Sequence, residues 1–368
     1  MNRDINPFVE PRSPITTEDG IYSHSEVRLA NRNSGILLEA LTLDVTPTGL
    51  HYLLNHFDVP FIREADHRLS FEGAFDAPFS LTVEDIRNLP QTTCPVTLEC
   101  AGNGRAGVSP RPHSMPWISE AVGTSEWTGT LLAPLIERAR PRQDAVEVVF
   151  SGTDFGFDNG VGHFYERSLT LDQIAEGEAM LVHSMNGQPL LPQHGAPLRL
   201  IMPGWYGMTS VKWLWTIRAV TAPFDGFQQT HNYIFRENEN DPGRPVTELR
   251  VKSLMVPPGV PDWETRSRLV KSGKVSLVGR AWAGAGRAIQ KVEVGIDGQW
   301  HDAVLSGRTG RYAWVKWSFD WETVPGWHVL NCRATDAEGN VQPLSSVRDV
   351  GGFGNNAVQS VNVFVESS

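Results

Sequence analysis

The sequence predicts an α+β protein of two domains, and three observations support this prediction. Up to about residue 240, strand-like and helix-like segments alternate irregularly, without the β–α–β rhythm of a doubly wound parallel sheet. Beyond that point, short β-branched and aromatic runs are separated by turn residues, a pattern typical of an immunoglobulin-like β-sandwich. A polar turn cluster at 238–243 lies between the two patterns. We therefore predict domains at 1–240 and 241–368.

Composition narrows the class of protein. The 368 residues are 40% hydrophobic and include 12 tryptophans, enough for two substantial cores. The net charge of −10 argues against binding to nucleic acid or to an anionic membrane. We find no apolar run long enough to span a membrane and no export signal, so we expect a cytoplasmic protein, or a periplasmic one if a signal has been removed. Three cysteines suggest no disulfide framework.

In the first domain, the local signals predict one capped helix, one longer helix and several strands. Thr82 and Asp85 form the pattern of a helix start, which Pro90 would end. Asn186-Gly187 is a strong turn signal. The other predicted elements are an amphipathic helix at Trp127–Arg140, a strand at Val146–Phe150 closed by Ser151-Gly152-Thr153-Asp154, and strands at Ala179–Val182, Leu198–Met202 and Val211–Arg218.

In the second domain, we predict only strands. They are Leu249–Val251, Lys274–Ala281, Ala288–Ile296, Ala313–Phe319, Trp327–Thr335 and Val361–Val365. Turn signals such as Asp297-Gly298 separate them.

The stretch from Thr97 to Arg105 is the strongest chemical signal. Apolar and polar residues alternate up to Cys100, which predicts a half-buried strand, and Gly102 to Gly104 then predict a tight loop. The thiol of Cys100 would lie at the strand end with the Arg105 cation nearby. A thiolate beside a cation is a soft metal ligand or a nucleophile. The alternative is a small buried hydrophobe, which most lone cysteines are.

Leu98 to Asn103, followed by Arg105, resemble the cysteine loop of the sulfite oxidase family of molybdenum enzymes, in the form without a haem domain. The resemblance continues in family order across most of the chain. It is carried by Asn55-His56, Ser151–Asp154, Met185–Leu190, His194-Gly195, Arg199, Ser210–Trp213, Arg280–Trp282 and Asn340–Pro343. It implies an N-terminal molybdopterin-binding domain of mixed α+β structure and a C-terminal immunoglobulin-like dimerisation domain.

The resemblance also implies roles for individual residues. Cys100 would be the one protein ligand of the molybdenum. The residues implied to bind the molybdopterin are Asn55, His56, Cys100, Asp154, His194, Arg199, Ser210 and Lys212. The residues implied in catalysis are Cys100, Arg105, Tyr233 and Trp117; Trp117 and Tyr233 could also be ordinary buried aromatic residues.

The implied reaction is oxygen-atom transfer that oxidises sulfite to sulfate in a homodimeric enzyme. Because the two predicted domains leave no stretch for a haem domain, electrons would pass to an external acceptor such as a cytochrome. Two departures put the substrate in question. Leu54 stands where typical sulfite oxidases carry a substrate-binding arginine, and Trp314–Trp317 lacks another, for which Lys316 could substitute.

Three alternatives remain open from the sequence. The same cofactor could serve sulfoxide or nitrate reduction, or oxidation of carrier-bound sulfur, and Leu54 suits a neutral or bulkier substrate. A zinc hydrolase could use His51, His56, His67 or His113, although their spacing includes no HExxH motif. A binding protein without catalysis would give Cys100 no role and hold no molybdenum.

Overall fold

The structure, a computed structural model, describes residues 24–367. The first 23 residues of the predicted 1–240 domain and residue 368 lie outside the described residues. The helices of the described part are α1 His24–Arg32, α2 Val83–Arg87, α3 Ala133–Ala139 and α4 Leu171–Glu176, with a π-helical turn at Gln228–Asn232 and short 3₁₀ turns. None of the described helices is long and apolar enough to cross a membrane.

Strands dominate the architecture. Those before residue 246 are β1 Leu69–Gly73, β2 Phe79–Leu81, β3 Thr92–Glu99, β4 Val122–Leu131, β5 Glu147–Asp158, β6 Val161–Thr170, β7 Met180–Met185, β8 Gln188–Pro189, β9 Arg199–Ile201, β10 Leu214–Val220, β11 Ile234–Phe235 and β12 Arg244–Pro245. Those after it are β13 Lys252–Met255, β14 Val260–Pro261, β15 Arg268–Lys271, β16 Lys274–Trp282, β17 Ile289–Ile296, β18 Gln299–Asp302, β19 Val304–Arg308, β20 Val315–Glu322, β21 Gly326–Asp336 and β22 Gln359–Glu366.

Two sheets form the N-terminal part. One has the order β2-β1-β10-β5-β6, and the other has the order β3-β4-β7-β8 with β9 also paired to β7. Strands β1 and β10 are parallel, while their other neighbours are antiparallel. This mixture of parallel and antiparallel pairing with few, short helices confirms the predicted α+β class.

The helix start predicted at Thr82 is confirmed in detail. The Thr82 hydroxyl accepts a hydrogen bond from the Asp85 amide at 2.9 Å, and the Asp85 carboxylate accepts one from the Thr82 amide at 2.8 Å. This capping box satisfies two amides that the first turn would otherwise leave unpaired. The turn at Asn186-Gly187 is confirmed as well, since both residues have positive φ angles of 52° and 72°.

The long helix predicted at Trp127–Arg140 is wrong in its first half. Residues up to Leu131 belong to strand β4, in which Trp127 pairs with Met185 of β7. Helix α3 begins only at Ala133, with a proline in its first turn. The leucines of this stretch are spaced as on a helix, but pairing on both edges of β4 determines the backbone.

The turn predicted at Ser151–Asp154 is a β-bulge inside a longer strand. Strand β5 continues to Asp158, and its register with β6 shifts between Ser151 and Phe155. A bulge breaks the alternation of a strand and redirects a side chain. Here it directs Asp154 into a cavity between the sheets.

The C-terminal part is a β-sandwich. Its sheets have the orders β13-β16-β20-β19 and β14-β15-β22-β21-β17-β18. Valines that alternate along β22, at 361, 363 and 365, are buried in the apolar core between the sheets. The strand predicted at Leu249–Val251 begins instead at Lys252.

A buried ion pair joins the sandwich to the cysteine loop. The Lys252 ammonium donates to the Glu99 carboxylate at 2.8 Å, and both side chains are at most 4% exposed. Lys252 also donates to the carbonyl oxygens of Asn103 and Asn355. The other oxygen of Glu99 accepts from the Trp282 indole at 2.9 Å. Every charge in this cluster is hydrogen bonded, which is the condition under which a buried ion pair is tolerated.

We predict that Lys252→Met destabilises the protein by about 3–5 kcal/mol of unfolding free energy, because it leaves the Glu99 carboxylate buried without a counter-charge. The measurement is urea denaturation of the purified holoenzyme. The matched control is Lys274→Met, which removes a lysine from an exposed pair with Asp320 and should cost about 1 kcal/mol or less. Equal effects of the two substitutions would contradict the prediction.

Candidate active site

The cysteine loop has the geometry that its glycines predict. Strand β3 ends at Glu99, and the Cys100 amide donates to the Ala121 carbonyl at 2.9 Å. Gly104 has a φ of 96°, a conformation that favours glycine. A Cβ at Gly102 would lie 2.5–2.7 Å from the guanidinium atoms of Arg105. The loop therefore needs glycine at 102 so that the arginine can lie flat against its backbone.

Asn103 holds this loop closed. Its side-chain amide donates to the Glu99 carboxylate at 3.0 Å and to the Ser119 carbonyl at 3.2 Å. Its side-chain oxygen accepts from the Ala121 amide at 3.1 Å. With Lys252 on the same carboxylate, the position of Cys100 is fixed from both domains.

Two cavities meet at Cys100. The first is a narrow cavity of about 60 Å³. It is lined by His51, Tyr52, Leu53, Leu54, His56, Leu98, Cys100, Ala101, Asp154, Tyr165, Gln193, His194, Arg199, Gly207, Met208, Ser210, Lys212 and Tyr233. The second is a wider cleft whose lining includes Leu54, Asn55, His56, Cys100, Arg105, Met115, Tyr233, Arg236, Gly351 and Phe353.

The first cavity holds two cations, neither of which forms an ion pair within 4 Å among the described residues, although the Asp154 carboxylate lies near Lys212. The buried Arg199 guanidinium donates to the carbonyl oxygens of His194 and Ser210, at 2.9 and 3.0 Å. The Lys212 ammonium donates to the Leu54 carbonyl at 3.0 Å and to the side-chain oxygen of Asn55. Burial lowers the pKa of Arg199 to about 10 and also lowers the pKa of Lys212. Both cations would therefore be stabilised by an anion in the cavity.

Asp154 adds one unsatisfied acceptor to this cavity. One of its carboxylate oxygens is buried and has no hydrogen-bond partner among the described residues. Burial raises the pKa of Asp154, and the nearby Lys212 opposes that rise. Burying a carboxylate without donors is costly, so the group fits a ligand that brings N–H donors.

The histidines around the first cavity are neutral near pH 7. Burial lowers the pKa of His194 and of His56 to about 3, and that of His51 to about 4. The rings of His51 and His194 meet edge to face at 5.8 Å. Uncharged imidazoles offer a donor and an acceptor each without adding positive charge.

Tyr233 lies where the two cavities meet. The His56 ring nitrogen Nε2 and the Tyr233 hydroxyl are hydrogen bonded at 2.6 Å. Burial raises the pKa of Tyr233 well above its usual value, so the phenol keeps its proton. Both side chains line both cavities.

Arg105 is the cation of the wider cleft. Its guanidinium donates to the carbonyl oxygens of Gly351 and Met115, at 2.9 and 3.0 Å, and stacks on the Phe353 ring. No carboxylate among the described residues pairs with it. Burial lowers its pKa, while the nearby Cys100, Tyr233 and the Asp349 carboxylate raise it. The thiol of Cys100 has a raised pKa because it is buried, an effect that Arg105 opposes.

The structure brings most of the predicted residues together around these cavities. His56, Asp154, His194, Arg199, Ser210 and Lys212 line the first cavity, whereas Asn55 lines the wider cleft and contacts Lys212. Trp117 is buried and lines neither cavity, and its indole N–H has no hydrogen-bond partner among the described residues. Lys316, on β20, lines neither cavity and so does not replace a pocket arginine.

The residues around the first cavity fit a molybdenum cofactor. The anionic phosphate and dithiolene of a molybdopterin would meet the unpaired charges of Arg199 and Lys212. Its pterin N–H groups would meet the unsatisfied oxygen of Asp154, and the Cys100 sulfur would ligate the metal. No cluster of three His, Cys, Asp or Glu side chains capable of holding a metal ion occurs in residues 24–367, which leaves the zinc alternative without a site.

The fold and the site define a molybdopterin-dependent oxidoreductase, and sequence comparison agrees. Residues 56–228 match the family model described as an oxidoreductase molybdopterin binding domain. Residues 244–366 match a Mo-co oxidoreductase dimerisation domain.

The chain belongs to the sulfite oxidase family. It is 31% identical over 391 residues to the mitochondrial sulfite oxidase of Macaca fascicularis, covering 98% of this chain and 69% of that protein. It is also 29% identical over 344 residues to an NADH nitrate reductase of Ulva prolifera, covering 85% of this chain and 40% of that one. The sulfane dehydrogenase SoxCD of Paracoccus pantotrophus has the same fold, with a TM-score of 0.76 at 23% identity over 100% of this chain and 95% of that chain.

Sequence reasoning missed several lining residues. His51 and Tyr165 line the first cavity, and Arg236 lines the wider cleft. His51 was considered only as a zinc ligand, although it lies four residues before Asn55 and so was within reach of the same motif. Arg236 lies three residues after Tyr233, and only its tertiary contacts reveal its position.

We predict that Lys212→Met lowers the affinity for the molybdopterin at least about tenfold, because one charge-assisted hydrogen bond to an anion is lost. The measurement is pterin and molybdenum retained per chain after extended dialysis. Lys274→Met, which removes an exposed lysine, should retain the wild-type content. Full retention by Lys212→Met, with an unchanged thermal midpoint, would contradict the assignment.

Proposed function

We propose that this enzyme oxidises sulfite to sulfate by oxygen-atom transfer and passes the electrons to a separate acceptor such as a cytochrome. The observation that carries the proposal is the Arg105 guanidinium, which is 4% exposed, lines the cleft at Cys100 and bonds only to carbonyl oxygens among the described residues. A planar guanidinium without a carboxylate is suited to bind an oxyanion.

The chain's own groups would orient the substrate and manage its protons. Arg105 would hold the anion beside Cys100, and the Tyr233 hydroxyl would donate a hydrogen bond toward the reacting centre. The neutral His56 ring, hydrogen bonded through Nε2 to that hydroxyl at 2.6 Å, would act as the donor and leave the phenolic proton free to point toward the reacting centre. Since His56 is uncharged near pH 7 and the phenol is protonated, both groups keep these roles across the neutral range.

The balanced reaction is sulfite plus water giving sulfate, two protons and two electrons. The sulfur atom gains one oxygen, whose source over the full cycle is water, and loses two electrons. When bound, the molybdenum cofactor supplies the oxygen-atom transfer and stores the two electrons. The electrons then leave one at a time to the acceptor.

A bulkier sulfur substrate is the second candidate. Leu54 places an apolar side chain at the junction of the two cavities, and exposed residues such as Phe157 and His231 line the mouth of the wide cleft. A single small anion does not need this width. The similarity to a nitrate reductase and to a sulfane dehydrogenase is the reason to include nitrate and carrier-bound sulfur as alternative substrates in the assays.

We also propose that the enzyme is a homodimer through its sandwich domain. The side chains of Leu269, Phe364 and Trp327 form an exposed apolar row across β15, β22 and β21, in which Phe364 pairs with both of the others. Trp327 is 66% exposed. A second copy of the chain would cover this row, in agreement with the dimerisation-domain match of the segment that contains it.

We predict that Arg105→Met lowers kcat/KM for sulfite about a hundredfold, because one or two charged hydrogen bonds to the anion are lost. Cofactor content should not change, since Arg105 does not line the first cavity. The measurement is sulfite-dependent dye reduction, with metal and pterin analysis on the same samples. Cys100→Ala is assayed in parallel and should abolish turnover.

The matched control is Arg63→Met, because Arg63 is an exposed arginine outside both cavities. A cofactor-loaded wild-type enzyme that reduces nitrate or a sulfoxide but does not oxidise sulfite would overturn the substrate assignment. It would leave the oxidoreductase class intact.

We predict that Trp327→Asp yields a folded monomer, because a carboxylate in the apolar row would be desolvated on association. The measurement is molar mass by light scattering, with far-UV circular dichroism as the test of folding. Val304→Asp, on the other sheet of the sandwich, should remain dimeric. A wild-type monomer, or a dimeric Trp327→Asp, would contradict the proposal.

A further inference from the structure

The wide cleft has a second arginine that the family pattern does not assign. Leu54 stands where typical sulfite oxidases carry an arginine, and its side chain offers no charge to the cleft. Arg236, three residues after Tyr233, lines the same cleft as Arg105. Its position follows from the π-helical turn and the short strand β11 that precede it.

One backbone segment fixes both arginines. The Arg236 amide donates to the Asp349 carboxylate at 2.8 Å, and the Arg236 carbonyl accepts from the Val350 amide at 2.8 Å. The next residue, Gly351, accepts from the Arg105 guanidinium at 2.9 Å. The segment 349–351 thus holds Arg236 by its backbone and Arg105 by its side chain, and both arginines line the cleft.

The guanidinium of Arg236 has unused donors. Its Nε is buried and has no hydrogen-bond partner among the described residues. The Asp241 carboxylate lies near enough for Arg236 to help lower its pKa, but its oxygens accept from two backbone amides. The nearby carboxylate of Asp349 is already occupied, because its oxygens accept from the amides of Arg236 and Phe353. A guanidinium has five donors in a planar fork, and buried donors left without acceptors are unfavourable. A ligand with several acceptor oxygens would satisfy them.

We propose that Arg236 is a second anion-binding residue of the substrate cleft and that, with Arg105, it supplies the positive charge that Leu54 does not. The ligand class is a small oxyanion with at least three oxygens. The identification of sulfite as this oxyanion rests on the function proposed above. The role of Arg236 in anion binding does not depend on that function. Arg236 therefore makes the cleft select anionic over neutral ligands and has no part in the chemical step.

The test is calorimetric titration of the holoenzyme with sodium sulfate, an unreactive oxyanion and the product of the proposed reaction. We expect Arg236→Gln to weaken sulfate binding about tenfold and Arg236→Lys to recover part of the loss, since lysine keeps the charge without the planar fork. Arg63→Gln, which removes the same charge from an exposed position, should bind as the wild type does. In sulfite assays, Arg236→Gln should raise KM about tenfold with little change in kcat.

Sulfate binding that is equal in wild type and Arg236→Gln would overturn the proposal, as would a wild type that binds no sulfate. Thermal midpoints and cofactor content are measured on every variant, and Arg236→Lys provides the comparison if Arg236→Gln fails to fold. If sulfate binds in an Arg236-dependent way but sulfite is not oxidised, the proposed function fails and this inference stands. If sulfite is oxidised but sulfate binding does not depend on Arg236, the proposed function stands and Arg236 is not part of the anion site.

Discussion

The structure depends on the buried ion pair between Glu99 and Lys252. Glu99 is the last residue of the strand that leads into Cys100, and Lys252 is the first residue of the strand that opens the sandwich. Their contact also includes the Asn103 backbone and the Trp282 indole, so the cysteine loop is held from both domains. The Cys100 thiol is therefore positioned by charges whose loss would disturb the junction of the two domains before it disturbed either core.

The cavities around Cys100 carry positive charge although the chain as a whole is negative. The chain is acidic overall, yet Arg199, Lys212 and Arg105 carry cations into two cavities with only neutral acceptors among the described residues. Such cations are unfavourable in an empty pocket and favourable once anions are bound. The first cavity suits the anionic cofactor, and the wider cleft suits an oxyanion. Cys100 lines both cavities, so its thiol lies at the boundary between the two.

The sequence predicted the features that local chemistry determines. The capping box at Thr82, the Asn186-Gly187 turn and the strand before Cys100 depend on neighbours within a few residues, and all three elements occur. The strand is buried on both faces at 96–99, not half-buried as predicted, because Thr97 and Glu99 have partners inside the protein. Trp127–Leu131 was mistaken for helix because its strand pairs with distant segments on both edges. The bulge that turns Asp154 inward, and the contact of Arg236 with Asp349, exist only once remote strands are aligned. The family motifs predicted most of the polar residues that line the first cavity, because those motifs combine local loops with a fixed order along the chain.

The Arg105 guanidinium has no carboxylate partner among the described residues, and its cleft is open to solvent. This affects how the enzyme would recognise its substrate. Under the proposed function, Arg105 would attract chloride, phosphate and sulfate by the same field as sulfite, because charge alone does not distinguish them. What separates these anions is an oxidisable lone pair at the central atom, which only sulfite among them offers. Discrimination would then be kinetic: inert anions occupy the cleft and leave, and the buffer chosen for an assay becomes one of the competing ligands.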